Sequence, residues 1–310
     1  MANSFLKPEK IVSQGLGMLQ RELVLPNIVK RYGIADFVGA KNDTVNVRIP
    51  SVLEGREYEW RTRNNPITYD ELEELSIPVT LNKHPYSGVK ITDEELTFDI
   101  DSWGDQVARP QIRAVAELLE SYIATTMENA PYADSVAYDG DESGDVSGLY
   151  KTLVEARTVL NKANVPTGER FVLLGADVEA AALLSPSLVN VDQSGTDSAL
   201  REATIGRLAG FTLIGNCNSI PADFAVAFHK TAFAFANVAP AVPSGAPAGA
   251  TATYEGLAMR WIRDYDTNYQ QDRSVYSSFA GAVSVDDGRE SYGALTGENV
   301  RAVEIEFTGS

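Results

Sequence analysis

The sequence predicts an α+β protein, and three observations carry that reading. One long amphipathic helix occupies residues 101–130. Period-two runs at 44–50 and 300–307 have the alternation of half-buried strands. Helices and short strands alternate only between residues 147 and 228, which marks a compact α/β subdomain inside a larger assembly of parts.

The 310 residues suffice for a sizeable core, and 44% hydrophobic with 22% charged residues is ordinary for a globular chain. No run approaches the ~18 apolar residues of a membrane span, so no membrane partner is expected. The first residues, MANSFLKPEKIVSQGLG, lack the apolar core of a secretory signal. Cys217 is the only cysteine, which excludes a disulfide within the chain and suits a reducing compartment. A net charge of −17 argues against a nucleic-acid reader. Residues 1–35 run against that trend, with Lys7, Lys10, Arg21, Lys30 and Arg31 facing Glu9 and Glu22 for a local +3. A basic arm on an acidic body can reach toward an acidic neighbour.

In order along the chain, residues 8–31 place Ile11, Val12, Leu16, Leu19, Leu23 and Val24 at helical spacing, with Pro26 expected to end or kink the helix. In residues 44–50, Val45, Val47 and Ile49 share one face of a strand; a second extended run covers 76–81. Between them lies Trp60-Arg61-Thr62-Arg63-Asn64-Asn65-Pro66, whose Asn-Asn-Pro is turn chemistry. Residues 45–91 thus read as a two-stranded excursion, and a lone ribbon is marginal in water unless it lies on something else. In 101–130, Val107, Ile112, Ala114, Val115, Leu118, Leu119, Tyr122 and Ile123 form the apolar half. Arg109, Arg113, Glu117, Glu120 and Glu128 form the polar half, with Asp105–Arg109 and Arg113–Glu117 spaced to pair. Pro110 sets the start near Asp105 and Pro131 the end, giving a strut of about seven turns, roughly 40 Å.

Residues 132–148 read as a polar loop, 147–163 as a helix with Leu149, Leu153, Ala156 and Leu160 on one face, and 170–174 as a short buried strand. A helix over 176–184, a loop over 185–197 and a helix over 198–208 follow. In Ile205-Gly-Arg-Leu-Ala-Gly-Phe211 the helix is expected to turn at Gly210 into a strand over 211–214, with another at 224–228. The Pro-, Gly- and Ala-rich residues 238–252 read as a loop or tether, 253–263 and 274–285 as long strands, and 300–307 as the final strand.

No catalytic pattern accompanies these parts. Asp139-Gly-Asp141-Glu-Ser143-Gly144-Asp145 opens like a calcium loop, but the position of the clamping glutamate holds Tyr150. Gly15-Leu-Gly17 lacks a third glycine and a preceding strand, and neither a P-loop nor a Gly-x-Ser-x-Gly elbow occurs. Cys217 with His229 is a conceivable nucleophile–base pair without a visible orienting group. The chain has too few Cys and His for a zinc site, and no other cofactor is expected. Asp264 and Asp266 share a strand face, the arrangement a hydrolase with an acidic cleft would need. Asn42-Asp-Thr44 fits a glycosylation acceptor, which has no use without secretion.

Four stretches carry a family resemblance: Phe5-Leu-Lys-Pro-Glu-Lys-Ile-Val12; Val89-Lys-Ile-Thr-Asp-Glu-Glu-Leu96 leading into the strut; Ile205–Phe211 with Pro221; and Tyr254-Glu-Gly-Leu-Ala-Met-Arg260 with Asp264-Tyr-Asp266. In this order they resemble the major capsid proteins of tailed bacteriophages, the Hong Kong ninety-seven type of capsid fold. The resemblance covers nearly the whole chain. It implies an N-terminal arm (1–40), an extended loop (41–92), a peripheral domain with a long spine helix (93–131 and 252–290), an axial domain (132–251) and a C-terminal strand (291–310). It implies a structural protein of the virion, assembled in the host cytoplasm as hexamers and pentamers of an icosahedral head around double-stranded DNA. Portal, scaffolding and decoration proteins are the implied partners. Trp60, Arg61, Arg63 and Asn64 at the loop tip, and Lys7, Lys10, Arg21, Lys30 and Arg31 in the arm, would touch neighbouring subunits. Some relatives weld subunits by a Lys–Asn bond near the loop tip; here Lys83 and Lys90 lie near the base and the tip carries arginines. A bacterial nanocompartment shell protein shares this fold and is the alternative reading.

Overall fold

The computed structural model describes residues 24–33, 43–49, 53, 55–63, 66–69, 75–96, 103–140, 148–183, 206–215, 219–254, 257–288 and 296–308. Lys7, Lys10, Arg21, Asn64, Cys217 and most of the Asp139 loop lie outside these residues. The expected helix over 8–31 survives within them only as the turn α1 (Leu25–Ile28), after which Lys30–Tyr32 form strand β1. Pro26 sits in the first turn of α1, a position where its missing N–H costs nothing. Leu25, Ile28 and Val29 are buried in the main core. The free N–H groups at the start of α1 are satisfied from another element: the Glu120 carboxylate accepts from Val24 and, at 3.2 Å, from Leu25.

The expected ribbon is present. β2 (Thr44–Ile49) and β3 (Leu75–Thr80) pair antiparallel with Val45 opposite Val79 and Val47 opposite Ile77. Its upper bound differs, because β4 (Tyr86–Thr92) leaves the ribbon and pairs with residues 271–277 in a different sheet. The excursion therefore spans 44–80 rather than 45–91.

The strut is helical from Gly104, as Pro110 suggested, but its first turn is π-wound (Gly104–Ala108) before α2 (Arg109–Glu128). At ~1.5 Å per residue α2 is about 30 Å long. Its buried stripe is Ile112, Val115, Ala116, Leu119, Ile123, Ala124 and Met127, together with Gln111. Leu118, placed on the apolar half from sequence, is 39% exposed: the buried positions follow steps of three and four from Ile112, and Leu118 falls beside that line.

The α/β region comprises β5 (Ser135–Tyr138), α3 (Gly148–Lys162), β6 (Arg170–Leu174), α4 (Ala176–Leu183), β7 (Arg207–Leu208), β8 (Phe211–Ile214) and β9 (Phe224–His229). Leu149, Leu153, Ala156 and Leu160 of α3 are fully buried against Val172, Leu174, Phe211, Val303 and Ile305. Two expectations fail here. Part of the supposed polar loop 132–148 is strand β5, and the end of the supposed helix 198–208 is strand β7. β7 and β8 form a two-residue hairpin in which Ala209 and Gly210 both have positive φ, the requirement of the turn that matches strand twist.

After a short 3₁₀ turn, β10 (Phe233–Val238), β11 (Ala248–Tyr254), β12 (Leu257–Asp266), β13 (Gln271–Ser277), β14 (Phe279–Ser284) and β15 (Ala302–Phe307) complete the chain. The supposed tether 238–252 is thus strand at Val238 and over 248–252, and the supposed strand 274–285 is two strands in two sheets. The sheets read β1-β10-β14, β11-β12-β13-β4, β5-β15-β9-β6-β8-β7 and the ribbon β2-β3. α2 shares one core with Leu257, Met259, Trp261 and Tyr276 of the four-stranded sheet and with Phe233, Phe235 and Ala280 of the three-stranded one.

Candidate assembly surfaces

The ribbon has a buried base and an uncovered tip. At the base, Val79 packs with Ala234, Ala236 and Val285, with Val47, Ile77, Leu81 and Tyr32 around them. Above the ladder, every described residue from Leu53 to Tyr69 is exposed. Five of them are large and apolar or aromatic, Leu53, Tyr58, Trp60, Ile67 and Tyr69; Trp60 is 65% and Tyr69 86% exposed. Such a patch on one segment marks an interaction surface more often than chance exposure does. The tip is a tight turn: the Arg63 N–H donates to the Glu59 carbonyl at 3.0 Å, the Thr62 hydroxyl donates to Glu59 Oε2 at 2.9 Å, and Arg63 adopts a left-handed φ of 49°. The Arg61 guanidinium lies 5.1 Å from the Trp60 ring centroid, and Arg63 Nε donates to the Trp60 carbonyl at 3.3 Å. Three arginines (Arg56, Arg61, Arg63) against three glutamates (Glu54, Glu57, Glu59) leave residues 53–69 neutral on a strongly acidic chain.

The structure therefore brings Trp60, Arg61 and Arg63 together and places Lys30 and Arg31 elsewhere, on β1 beside β10. There Arg31 Nη1 donates to Asn27 Oδ1 at 3.4 Å. Sequence reasoning missed Leu53, Tyr58, Ile67 and Tyr69. Their signal is apolar character without any helix or strand period in a stretch that is otherwise polar. Lys83 and Lys90 both sit on the body: Lys83 Nζ is 5.8 Å from the Tyr122 ring centroid, and Lys90 lies on β4 opposite Arg273.

The residues weighed for chemistry have other partners. Arg273 bridges Asp264 and Asp266, at 3.5 Å to Asp266 Oδ2, so the supposed acid pair is a charge clamp between β12 and β13. Beside it Arg263 pairs with Asp272 and stacks on Trp103, 4.5 Å from the ring centroid. His229 is buried and uses Nδ1 to accept from the Thr231 N–H at 3.3 Å, capping the 3₁₀ turn. Burial first, and then the Arg301 guanidinium, hold its pKa below the ordinary imidazole value, which keeps it neutral. No cluster of metal-ligating side chains occurs among the described residues, and no helix among them is long and apolar enough to cross a membrane.

Two buried polar networks fix the platform from which the ribbon departs. Gln111 of α2 donates to the Ser87 and Ser274 carbonyls at 3.1 and 2.8 Å, while Ser274 Oγ donates back to Gln111 Oε1 at 3.1 Å and accepts from Trp261 Nε1 at 2.9 Å. Asn237 of β10 donates to Ser278 Oγ at 2.7 Å and accepts from the Ala258 N–H, and Ser278 Oγ donates to the Ala258 carbonyl at 2.8 Å. The first ties the strut to the four-stranded sheet; the second ties that sheet to the three-stranded one.

The ribbon tip stands exposed above a body in which the long helix and the sheets share one core, and comparison with known proteins shows what this fold belongs to. Residues 74–294 match the family described as phage capsid protein. The chain belongs to the phage capsid protein family. No curated protein sequence matches this capsid protein. Its fold is similar to a structure from Mycobacterium phage Che8 (19% identity, 93% of this chain and 92% of that one, TM-score 0.64). It is also similar to the capsid structure of the cyanophage P-SCSP1u (12% identity, 100% and 91%, TM-score 0.63). A virus-like particle from Pyrococcus furiosus shares the fold more loosely (12% identity, 96% and 98%, TM-score 0.51). The capsid protein is thus a structural subunit of the virion, a major capsid protein that works as an oligomer in the shell.

Proposed function

We propose that this subunit closes into hexamers and pentamers of an icosahedral tailed-phage head that encloses double-stranded DNA without reading its sequence, and that it carries no catalytic activity. The observation behind this is the exposed apolar tip. Five large side chains in water between residues 53 and 69 gain roughly 25 cal/mol for each Å² they bury on a neighbour. Trp60, Arg61, Arg63 and Asn64 form the proposed contact of the loop, and Lys7, Lys10, Arg21, Lys30 and Arg31 that of the arm. Arg suits this role through forked pairing with carboxylates, and an acidic chain supplies them in abundance. Net negative charge also keeps packaged DNA loosely held, because like charges repel. Portal, scaffolding and decoration proteins are the partners such a head requires. Phage capsid family membership favours this reading over a nanocompartment shell.

Deleting residues 58–68 tests the proposal. The expected product is a soluble folded subunit that negative-stain microscopy finds unable to close shells. Normal particles from the deletion would refute the role of the tip.

A further inference from the structure

On the side of β3 the ribbon joins the body over Leu81–Lys83. From Lys83 onward the chain follows the body: Lys83 and Ala280 exchange backbone hydrogen bonds at 3.0 and 2.9 Å, the Ser278 N–H donates to the Pro85 carbonyl at 3.1 Å, and Tyr86 lies opposite Ser277. Before Leu81 the chain belongs to the ribbon, where the Leu81 N–H donates to the Asp43 carbonyl at 2.9 Å. The change of partner happens directly over Gly281, which is itself held in β14 opposite Ala236. A Cβ on Gly281 would stand 2.1 Å from the Thr80 carbonyl oxygen, 2.9 Å from its carbon and 3.4 Å from Leu81 Cα. Gly281 is not among the residues with positive φ, so the glycine is required for space rather than for conformation. Both obstructing groups are backbone, and no side-chain rotation relieves them. The buried contact of Val79 with Ala234, Ala236 and Val285 seals the crossing.

We propose that Gly281 is a positioning residue that sets the angle at which the ribbon leaves the body, and with it the geometry in which the tip meets a second copy of this chain. This rests on the reading of the ribbon as an assembly element. An added methyl group must push Thr80 away by about 1 Å, since carbon–oxygen contacts settle near 3.3 Å. The paired part of the ribbon is about 20 Å long at ~3.3 Å per residue, and the tip lies farther out, so a small tilt at the crossing becomes a larger displacement at the tip.

The test uses the full chain with Cys217→Ser. Spin labels on Arg61→Cys and Glu155→Cys report the tip-to-body distance in unassembled subunits; unlabelled protein is used for assembly. Gly281→Ala is expected to shift the mean label distance by about 3 Å, several-fold the initial displacement, as a lever on extended strands requires. Its shells are expected to fail to close or to change diameter. Thr80→Gly loosens the same crossing without adding volume, and is expected to broaden the label distance and the range of particle sizes. It also keeps the test open if Gly281→Ala does not fold. Unchanged distances and unchanged shells in the variants that fold would overturn the proposal. The deletion of 58–68 separates the two failures. If that deletion closes shells, the ribbon reading falls; if it blocks closure while the crossing variants are silent, only the role of Gly281 falls.

Discussion

The strut and the ribbon are both long elements, yet they spend their apolar residues in opposite ways. α2 buries Ile112, Val115, Leu119, Ile123 and Met127 between two sheets within its own subunit. The ribbon buries Val45, Ile49 and Val79 along its ladder and leaves Leu53, Tyr58, Trp60, Ile67 and Tyr69 in water. Buried apolar packing is therefore concentrated around the strut, while the ribbon tip leaves exposed the apolar area proposed to meet a neighbouring subunit. Substitutions in the two regions should separate folding from assembly.

The largest effect is expected from Leu119→Ala, which empties a fully buried position and should cost about 2–5 kcal/mol, read as a lower thermal midpoint of the isolated subunit. Trp60→Ala is the counterpart: the midpoint stays within error while shell closure, scored by negative stain, is lost. Equal destabilisation by both would erase the distinction. Gln111→Leu comes next. It leaves the hydroxyl of Ser274 and the Ser87 and Ser274 carbonyls without their partner, at about 1–3 kcal/mol, measured by denaturant unfolding.

A smaller effect follows from His229. Its folded pKa lies below the value of the unfolded chain, so the unfolded state takes up a proton first as pH falls. The contribution of neutral His229 is complete above ~6.5 and is lost as pH drops through the depressed folded value. His229→Asn retains an acceptor for the Thr231 N–H and cannot charge, so its midpoint should fall less than that of the native chain as pH is lowered below about 6.5. The smallest effect belongs to Glu117→Ala. Its 3.1 Å pair with Arg113 lies on the exposed face, and the expected loss is about 0.3–0.5 kcal/mol.

What the sequence disclosed follows the strength of its periodicity. α3 and β15 are legible because Leu149, Leu153, Ala156 and Leu160 repeat at helical spacing and Val303 and Ile305 at two, and burial follows both patterns. β10 was not anticipated because Phe233 to Asn237 is buried on both faces and presents no alternation. β11 is an edge strand of Ala, Gly and Thr whose extended form comes from pairing with β12, not from propensity. β7 was mistaken for helix because its turn puts an alanine, Ala209, at positive φ, a conformation that residue type does not advertise. At the tip, Trp60, Arg61 and Arg63 were legible as turn residues between two strands. Gly281 was not, because the backbone it touches lies 201 positions away along the chain.

The placement of β15 has a consequence for biosynthesis. Residues 302–307 insert between β5 and β9, and among the described residues β5 has no other strand partner. A nascent chain on the ribosome holds the ribbon long before it can complete the six-stranded sheet. Strand β15 acts as a timing device: the sheet closes only once residues 302–307 have been made, and a translation product cut short before them carries the ribbon beside an unfinished sheet.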